Sequence, residues 1–292
     1  MFSKNKKKFF SLKPNTRINK KIIKDKIYKE IYVLTKRLYI QAYRRPSHIL
    51  ASLIQPLLWL ILFGALFQNA PIELFGNYKI RYEQFLNPGI MTFTAFNSSI
   101  SAGLPIIFDR EFGFLNRILT SPITYKSNLC ISSTIYTWTI VVLQIATIIT
   151  FNKYSVQNNI TTSKVLNIIG IITLLTINIS NISIFSALIL PGHIEFIALS
   201  FIMNLPILFS STALAPLSFM PYWLQILSCT NPLTYAIEII RYTIQNKHFS
   251  LHKKIIETIW FNLQINESIF ILILINIISL ILVYNIITYK YD

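Results

Sequence analysis

The sequence predicts an all-α membrane protein: six transmembrane helices, an N-terminal amphipathic interface helix, and short outer re-entrant helices between spans five and six. Three observations carry that expectation. Mean hydropathy is +0.53 and only 13% of the 292 residues are charged, whereas a soluble domain spends about a quarter of its residues on charge. The apolar residues come in long uncharged blocks rather than with the period of an amphipathic soluble fold, so the bilayer is the solvent and a soluble globular enzyme is excluded. The net charge of +16 is one-sided, with 15 of the 27 Lys and Arg in the first 45 residues. This placement is the positive-inside signature and accounts for the basic balance without a nucleic-acid partner.

Six stretches free of Asp, Glu, Lys and Arg are long enough to cross about 30 Å of hydrocarbon: 49–67, 86–108, 129–151, 165–190, 196–214 and 269–289. An even number puts both termini on one side. The N-terminal segment, the 109–126 loop and the C-terminal tail hold 19 cations against 8 on the opposite side, so both tails face the compartment equivalent to the cytoplasm. The segment 215–268 carries Arg241, Lys247, Lys253 and Lys254 on the outer side, where long loops weigh little in the rule.

Residues 1–46 form a basic tail and interface helix ahead of a six-span domain over 47–292. No continuous apolar core of 7 to 15 residues precedes position 46, so no secretory signal is expected. The first 20 residues, with Lys4, Lys6, Lys7, Lys8 and Lys13, read as a disordered basic tail near anionic headgroups. From Ile22 a helical period appears, with Ile23, Ile27, Ile31, Leu34 and Leu38 on one face and Lys24, Lys26, Lys29, Lys36 and Arg37 flanking it. That pattern suits a helix lying in the interface plane and ending near Pro46. Segment 215–268 is too polar to cross and too apolar to be a free loop. Pro216, Pro221 and Pro232 interrupt it, and Asn231-Pro232 is placed to open a helix with Leu233, Ile237, Ile240 and Ile244 on one stripe.

Catalytic chemistry is hard to assemble from this chain. The seven glycines never form a phosphate-cradling loop, so ATP hydrolysis and a nucleotide cofactor are not expected here. Ion-coupled carriers need ionisable groups in the membrane, and the six spans lack Asp, Glu, Lys, Arg and His. They do carry Gln55, Asn97, Gln144, Asn178, Asn181, Asn204 and Asn276, which favour interhelical hydrogen bonding over a polar path. His248 and His252 stand four apart without a third ligand, so a solvated pair is favoured over a metal site. His48 and His193 lie at membrane edges. Cys130 and Cys229 fall on opposite sides and read as inert. No nucleophile-elbow spacing occurs.

Three stretches, in order, resemble the permease family of type-2 ATP-binding-cassette exporters. Arg44-Arg45-Pro46 running into Gln55-Pro56-Leu57-Leu58-Trp59 and Leu62-Phe63-Gly64 resembles the family's first span. Residues 108–122, Phe-Asp-Arg-Glu-Phe-Gly-Phe-Leu-Asn-Arg-Ile-Leu-Thr-Ser-Pro, are similar to its loop after span two, approximately Glu-x-Gly-x-Leu-x-x-Leu-x-x-Ser-Pro. Ala215-Pro216-Leu217, Met220-Pro221-Tyr222-Trp223-Leu224, Asn231-Pro232-Leu233-Thr234-Tyr235 and Arg241 resemble its outer segment between spans five and six.

The resemblance implies a permease subunit that acts as a homodimer in the lipid bilayer with a separate ATPase subunit on the inner side, itself holding no cofactor or metal. It implies ATPase coupling through Asp109, Arg110, Glu111, Phe112, Leu115, Arg117, Leu119 and Pro122, with Arg110, Glu111 and Arg117 offering charge. Phe112, Leu115 and Leu119 would offer an apolar patch. Glu111 could alternatively hold its own turn against Arg110 or a backbone amide. Asn116 departs from the family, which often has an acid there. Pro221, Trp223, Asn231, Pro232, Tyr235 and Arg241 would form the outer motif. Short outer loops favour the compact drug or lipid exporter branch. The chain holds 55 Ile against 6 Val and 12 Ala, and 19 Lys against 8 Arg, a skew that points to an A+T-rich genome. It suits a plastid-encoded permease, with a bacterial plasma membrane as the alternative. The competing functional class is a membrane-embedded assembly factor or enzyme acting without an ATPase, which would need a cluster of acids or histidines at one depth.

Overall fold

A computed structural model describes residues 19–67, 82–121, 124–155, 161–246, 253–257 and 262–291. Helix α1 spans Asn19–Tyr43 and α2 Pro46–Leu66, with Pro46 in the first turn where its missing N–H costs nothing. Helix α3, Tyr82–Ile100, runs through a 3₁₀ turn at Ser101–Gly103 into α4, Leu104–Glu111, and α5 follows over Phe114–Thr120. Helices α6 (Asn128–Ser155), α7 (Thr162–Ile189) and α8 (His193–Phe209) continue the bundle. The outer segment contains α9 (Tyr222–Thr230) and α10 (Pro232–Gln245), and α11 (Ile265–Tyr291) closes the chain.

Five helical runs are long and apolar enough to cross a membrane: Ile49–Leu66, Tyr82–Glu111, Ser127–Lys153, Thr162–Ile189 and Ile265–Tyr289. They match five of the six expected spans. The fifth expected span is shorter than the uncharged stretch suggests, because α8 has 17 residues and stops at Phe209 rather than running to 214. Its length is about 25 Å at 1.5 Å per residue. Pro206 and the turn-favouring Ser210-Ser211-Thr212 that follow explain the early end.

Helix α7 is the axis of the bundle, packed on α3, α6, α10 and α11. The most apolar part of α7 is 61% buried, as is that of the α3–α4 run, against 17% in α2 and 22% in α11. The first two are therefore central and the latter two lie on the outside of the bundle. One core joins Phe85, Met91 and Phe96 of α3, Ile145 and Ile148 of α6, Ile172 and Leu175 of α7, and Ile237 and Ile240 of α10. A second cluster at the opposite end gathers Ile106, Leu115, Ile118, Leu129, Ile184, Leu188 and Ile287. The break in the α3–α4 run sits where α7 approaches most closely. A Cβ on Gly103 would lie 2.6 Å from the Ser183 carbonyl oxygen. The Ser183 hydroxyl donates to the Ile100 carbonyl at 2.6 Å and accepts the Gly103 N–H at 2.9 Å, replacing the helix bonds lost at the 3₁₀ turn.

Two features of the outer segment depart from expectation. Helix α10 has no single apolar stripe; every residue from Leu233 to Thr243 is buried, because α3, α7 and α11 surround it. The chain is also not helical throughout. Strands β1 (Lys254–Glu257) and β2 (Asn262–Gln264) pair antiparallel into a small ribbon that leads into α11.

Candidate functional site

The 109–121 segment hangs from the end of α4 and is held at three points. Asp109, buried, pairs with the guanidinium of Arg37 from α1. That guanidinium also lies 4.7 Å from the centre of the Phe114 ring, tying α1 to α5. Arg110 reaches the end of α7 and donates to the carbonyls of Ala187 (3.1 Å), Leu188 (3.4 Å), Leu190 and Pro191 (2.9 Å). These are the orphan acceptors of a helix C-terminus, where a cation is favoured. Glu111 does the converse for the next helix: its carboxylate accepts the backbone N–H of His193 at 2.6 Å, and its other oxygen lies 2.5 Å from His193 Nδ1. An anion thus sits at the first turn of α8. Two adjacent residues of opposite charge bracket the α7–α8 turn.

Beyond this anchor the chain turns outward. Gly113 adopts a positive φ of 71°, a left-handed conformation that glycine takes without steric cost, and its Cβ position faces open space. Phe112 is 80% exposed and, among the described residues, stacks only on Phe108, with ring centres 6.0 Å apart. Asn116 and Arg117 are exposed on α5, whereas Leu115 and Ile118 turn inward to the inner cluster. Leu119 lies on the helix backbone of α5. Pro122 lies outside the described residues, as do His248 and His252.

Composition alone did not mark Glu30, yet it fixes the other end of this element. Its carboxylate accepts from the Thr124 N–H (3.0 Å) and hydroxyl (2.7 Å) and from Asn128 Nδ2 (2.7 Å), holding α1 against the start of α6. The available signal was spacing. Glu30, Leu34, Arg37 and Leu38 fall at i, i+4, i+7 and i+8, one face of a helix.

At the far end of the bundle the outer-motif residues make separate contacts within one segment. Pro221 precedes α9, and Trp223 is 64% exposed on it. Asn231 caps α10, its Oδ1 accepting the Leu233 N–H at 3.0 Å, while its Nδ2 donates to the Ile207 carbonyl at 2.7 Å. Pro232 occupies the first helical position, as expected. The Tyr235 hydroxyl donates to the Cys229 carbonyl. Arg241 is almost wholly buried, paired with Glu238, stacked 3.8 Å from the Phe85 ring centre and bonded to the Thr212 carbonyl at 2.8 Å. Burial pushes the Cys229 thiol pKa up, in keeping with an unreactive side chain.

Most of the span amides act between helices. Gln144 bridges Ser98 (2.7 Å) and the Ser52 carbonyl (3.3 Å); Asn204 donates to Asn97 (3.2 Å), Asn181 to Ser279 (3.4 Å), and Asn276 to the Leu174 carbonyl (2.7 Å). Gln55 lines a small cavity of about 50 Å³, and Asn178 is buried with neither amide atom hydrogen-bonded. Among the described residues no group of three His, Cys, Asp or Glu could hold a metal ion.

A bundle with charged clamps at one end and helices long and apolar enough to cross a membrane finds its relatives among transport proteins. A profile described as ABC-2 type transporter matches residues 29–244. The chain belongs to the ABC-2 type transporter family. A protein named as transport permease ycf38 from Cyanophora paradoxa is 46% identical over 254 residues, 87% of each chain. Proteins of the same name from Porphyra purpurea and Pyropia yezoensis are each 41% identical, over 91% and 90% of each chain respectively. Like these plastid-encoded permeases, this chain is a multi-pass integral protein of a plastid membrane. The family matched is that of the membrane permease of an ABC transporter, a domain that generally does no catalysis itself.

Proposed function

We propose that this ABC-2 permease is the membrane half of an exporter: a homodimer of six-span chains, powered by a separate ATPase subunit that docks on the inner face. The division into an interface segment, 1–46, and a transmembrane domain, 47–292, belongs to the same reading. In it, α8 serves as span five, and α9 and α10 are re-entrant elements of the outer leaflet. One observation carries the proposal. The segment 109–121 is anchored at its base by Asp109, Arg110 and Glu111 to α1 and to the α7–α8 turn, and it presents Phe112, Asn116 and Arg117 to solvent. A push on the exposed hook would be delivered to two spans and the interface helix together. Coupling therefore divides into contact residues, Phe112 and Arg117, and transmitting residues, Asp109, Arg110 and Glu111, with the buried Leu115 holding α5 against the inner cluster; Leu119 and Pro122 remain part of the proposed coupling segment.

The short outer connections support export over a binding-protein-dependent import route. Purification of the tagged chain from its membrane in mild detergent, followed by blue-native electrophoresis, tests the reading. An ATPase subunit in the eluate and a band of two permease chains are expected. A lone monomer with no ATPase would overturn it.

A further inference from the structure

His193, the first residue of α8, stands beside two carboxylates. One is Glu111, whose Oε1 accepts the His193 backbone N–H at 2.6 Å while its Oε2 lies 2.5 Å from Nδ1 of the same residue. The other is Glu195, two positions further along α8. A Cβ built on Gly192 would lie 2.6 Å from Glu195 Oε2 and 3.1 Å from Glu111 Oε1, so the two carboxylates approach within about 6 Å across that glycine, close enough to repel. The Phe108 ring flanks the imidazole, with ring centres 5.3 Å apart.

The other charges of the elements packed here are already committed. Arg110 spends its guanidinium on the carbonyls of Ala187 (3.1 Å), Leu188 (3.4 Å), Leu190 and Pro191 (2.9 Å). Asp109 pairs with Arg37, Arg117 is exposed on α5, and α7 brings no charge to this end. With a neutral imidazole the turn therefore carries two carboxylates against one guanidinium; with an imidazolium the charges balance. Histidine is the one residue type in this set that ordinarily titrates near neutral pH. The His193 side chain is 39% exposed, so solvent protons reach it, and among the described residues its Nε2 has no hydrogen-bond partner. A proton taken up at Nε2 leaves the Nδ1–H bond to Glu111 in place and turns it into an ion pair. The first-turn amides of α8 oppose a cation, but the amide of His193 is itself spent on Glu111.

We propose that His193 makes the joint between α4 and α8 a proton-sensitive latch, tight when its imidazole is charged and looser when it is neutral. The sign follows from the charges. Imidazolium is held by Glu111 and offsets Glu195, so the latch is complete in acid and its extra hold fades as pH rises through about 5 to 8, where histidine side chains lose their proton. Glu111 is 26% exposed, so solvent screens the pair and the change is about threefold in the opening equilibrium of the joint. The latch itself requires no ATPase. Only its consequence, stiffer transmission from the 109–121 segment to α8 in acid, rests on the coupling role proposed for that segment.

The test uses the full permease in detergent without any ATPase, so its failure is separable from failure of the coupling role. Hydrogen–deuterium exchange of the His193 backbone amide, the donor to Glu111, is measured at about pH 5.5 and about pH 8 and expressed as protection relative to the intrinsic rate at each pH. Protection about threefold higher in acid is expected for the wild type. His193→Asn places an amide N–H where Nδ1 stands but cannot take up a proton, so its protection should be the same at both pH values. Glu195→Gln, an exposed position, removes the second carboxylate and should shrink the ratio. Buried amides of α10 should show no pH dependence in any of the proteins. A flat wild-type profile, the wild-type ratio persisting in His193→Asn, or an equal ratio in α10 would each overturn the latch. If His193→Asn fails to fold, Glu195→Gln decides, and an undiminished ratio there overturns it.

Discussion

The carboxylate of Glu111, the last residue of α4, accepts the backbone N–H of His193 at 2.6 Å, so the end of one membrane run closes the first turn of another. Glu111 is solvent-accessible, and its role is geometric more than energetic. Glu111→Ala should leave insertion, dimerisation and thermal stability close to wild type while lowering substrate-stimulated ATP hydrolysis, because the hook would no longer move α8. Glu111→Gln, which can still accept the N–H, should retain more of the stimulation than Ala. Wild-type stimulation in both variants would remove Glu111 from the transmission path.

Arg37 and Asp109 give a more energetic link. Both are largely buried, so losing one partner strands a charge; hydrogen bonds to charged groups contribute about 1.5 to 3 kcal/mol. Arg37→Met should therefore lower the melting temperature in detergent by several degrees. The double variant Arg37→Met with Asp109→Leu should cost less than the sum of the single changes, with a coupling energy of about 0.5 to 3 kcal/mol. Additive losses would mean that the pair does not act as a unit.

Much of this arrangement was legible in the sequence, for definable reasons. Uncharged runs announce a membrane span directly, so spans one to four and six follow from counting, and Asn231-Pro232 announces a helix start because the cap and the fixed φ act locally. Less visible was anything that depends on distant partners. Arg110 meets carbonyls 77 to 81 positions away, and nothing around it distinguishes a helix-capping arginine from a docking one. Arg241 falls inside the helix that Asn231-Pro232 was expected to open, but nothing in its neighbourhood announced that the helix is buried on every side, with the arginine's charge balanced by Glu238 three residues earlier. The early end of α8 was hidden because the residues after Phe209 are uncharged turn-formers, and hydropathy does not separate them from helix.

The Arg241–Glu238 pair makes a sharp prediction. Both side chains are at least 96% buried, and removing one partner of a buried pair costs about 3 to 5 kcal/mol. Arg241→Ala should fail to accumulate as folded protein. Arg241→Lys should rescue poorly, because one ammonium cannot meet Glu238, the Thr212 carbonyl and the Phe85 ring at once. Yield of monodisperse protein on size exclusion checks both.

Two glycines should respond in opposite directions. A Cβ on Gly103 would meet the Ser183 carbonyl oxygen at 2.6 Å, so Gly103→Ala must push α7 from the α3–α4 run at about 1 to 3 kcal/mol. Gly170 has nothing within 4 Å of its Cβ position, in mid-α7, so Gly170→Ala should stabilise by up to about 1 kcal/mol through helix propensity. Paired melting curves in one detergent decide the matter, and equal behaviour would mean that the close approach at Gly103 is absent in the folded protein.

Phe112 tests the contact surface itself. It is 80% exposed, stacks on Phe108 alone among the described residues and follows an anchor built of three charged residues, so none of the described contacts requires its ring. Large aromatics that dock in a partner's pocket commonly cost 2 kcal/mol or more when truncated, roughly 30-fold in affinity. Phe112→Ala should therefore leave the melting temperature unchanged while sharply reducing co-purification of the ATPase subunit. Arg117→Ala, a charge on the exposed face of α5, should weaken capture less and in a salt-dependent way, since exposed charges are screened. The two classes then separate by assay: Phe112→Ala loses the partner, whereas Glu111→Ala keeps it and loses only stimulation. A Phe112→Ala permease that retains its ATPase at wild-type stoichiometry would move the docking site off this segment, and one that fails to fold would mean the ring is packed in the assembled protein rather than presented to a partner.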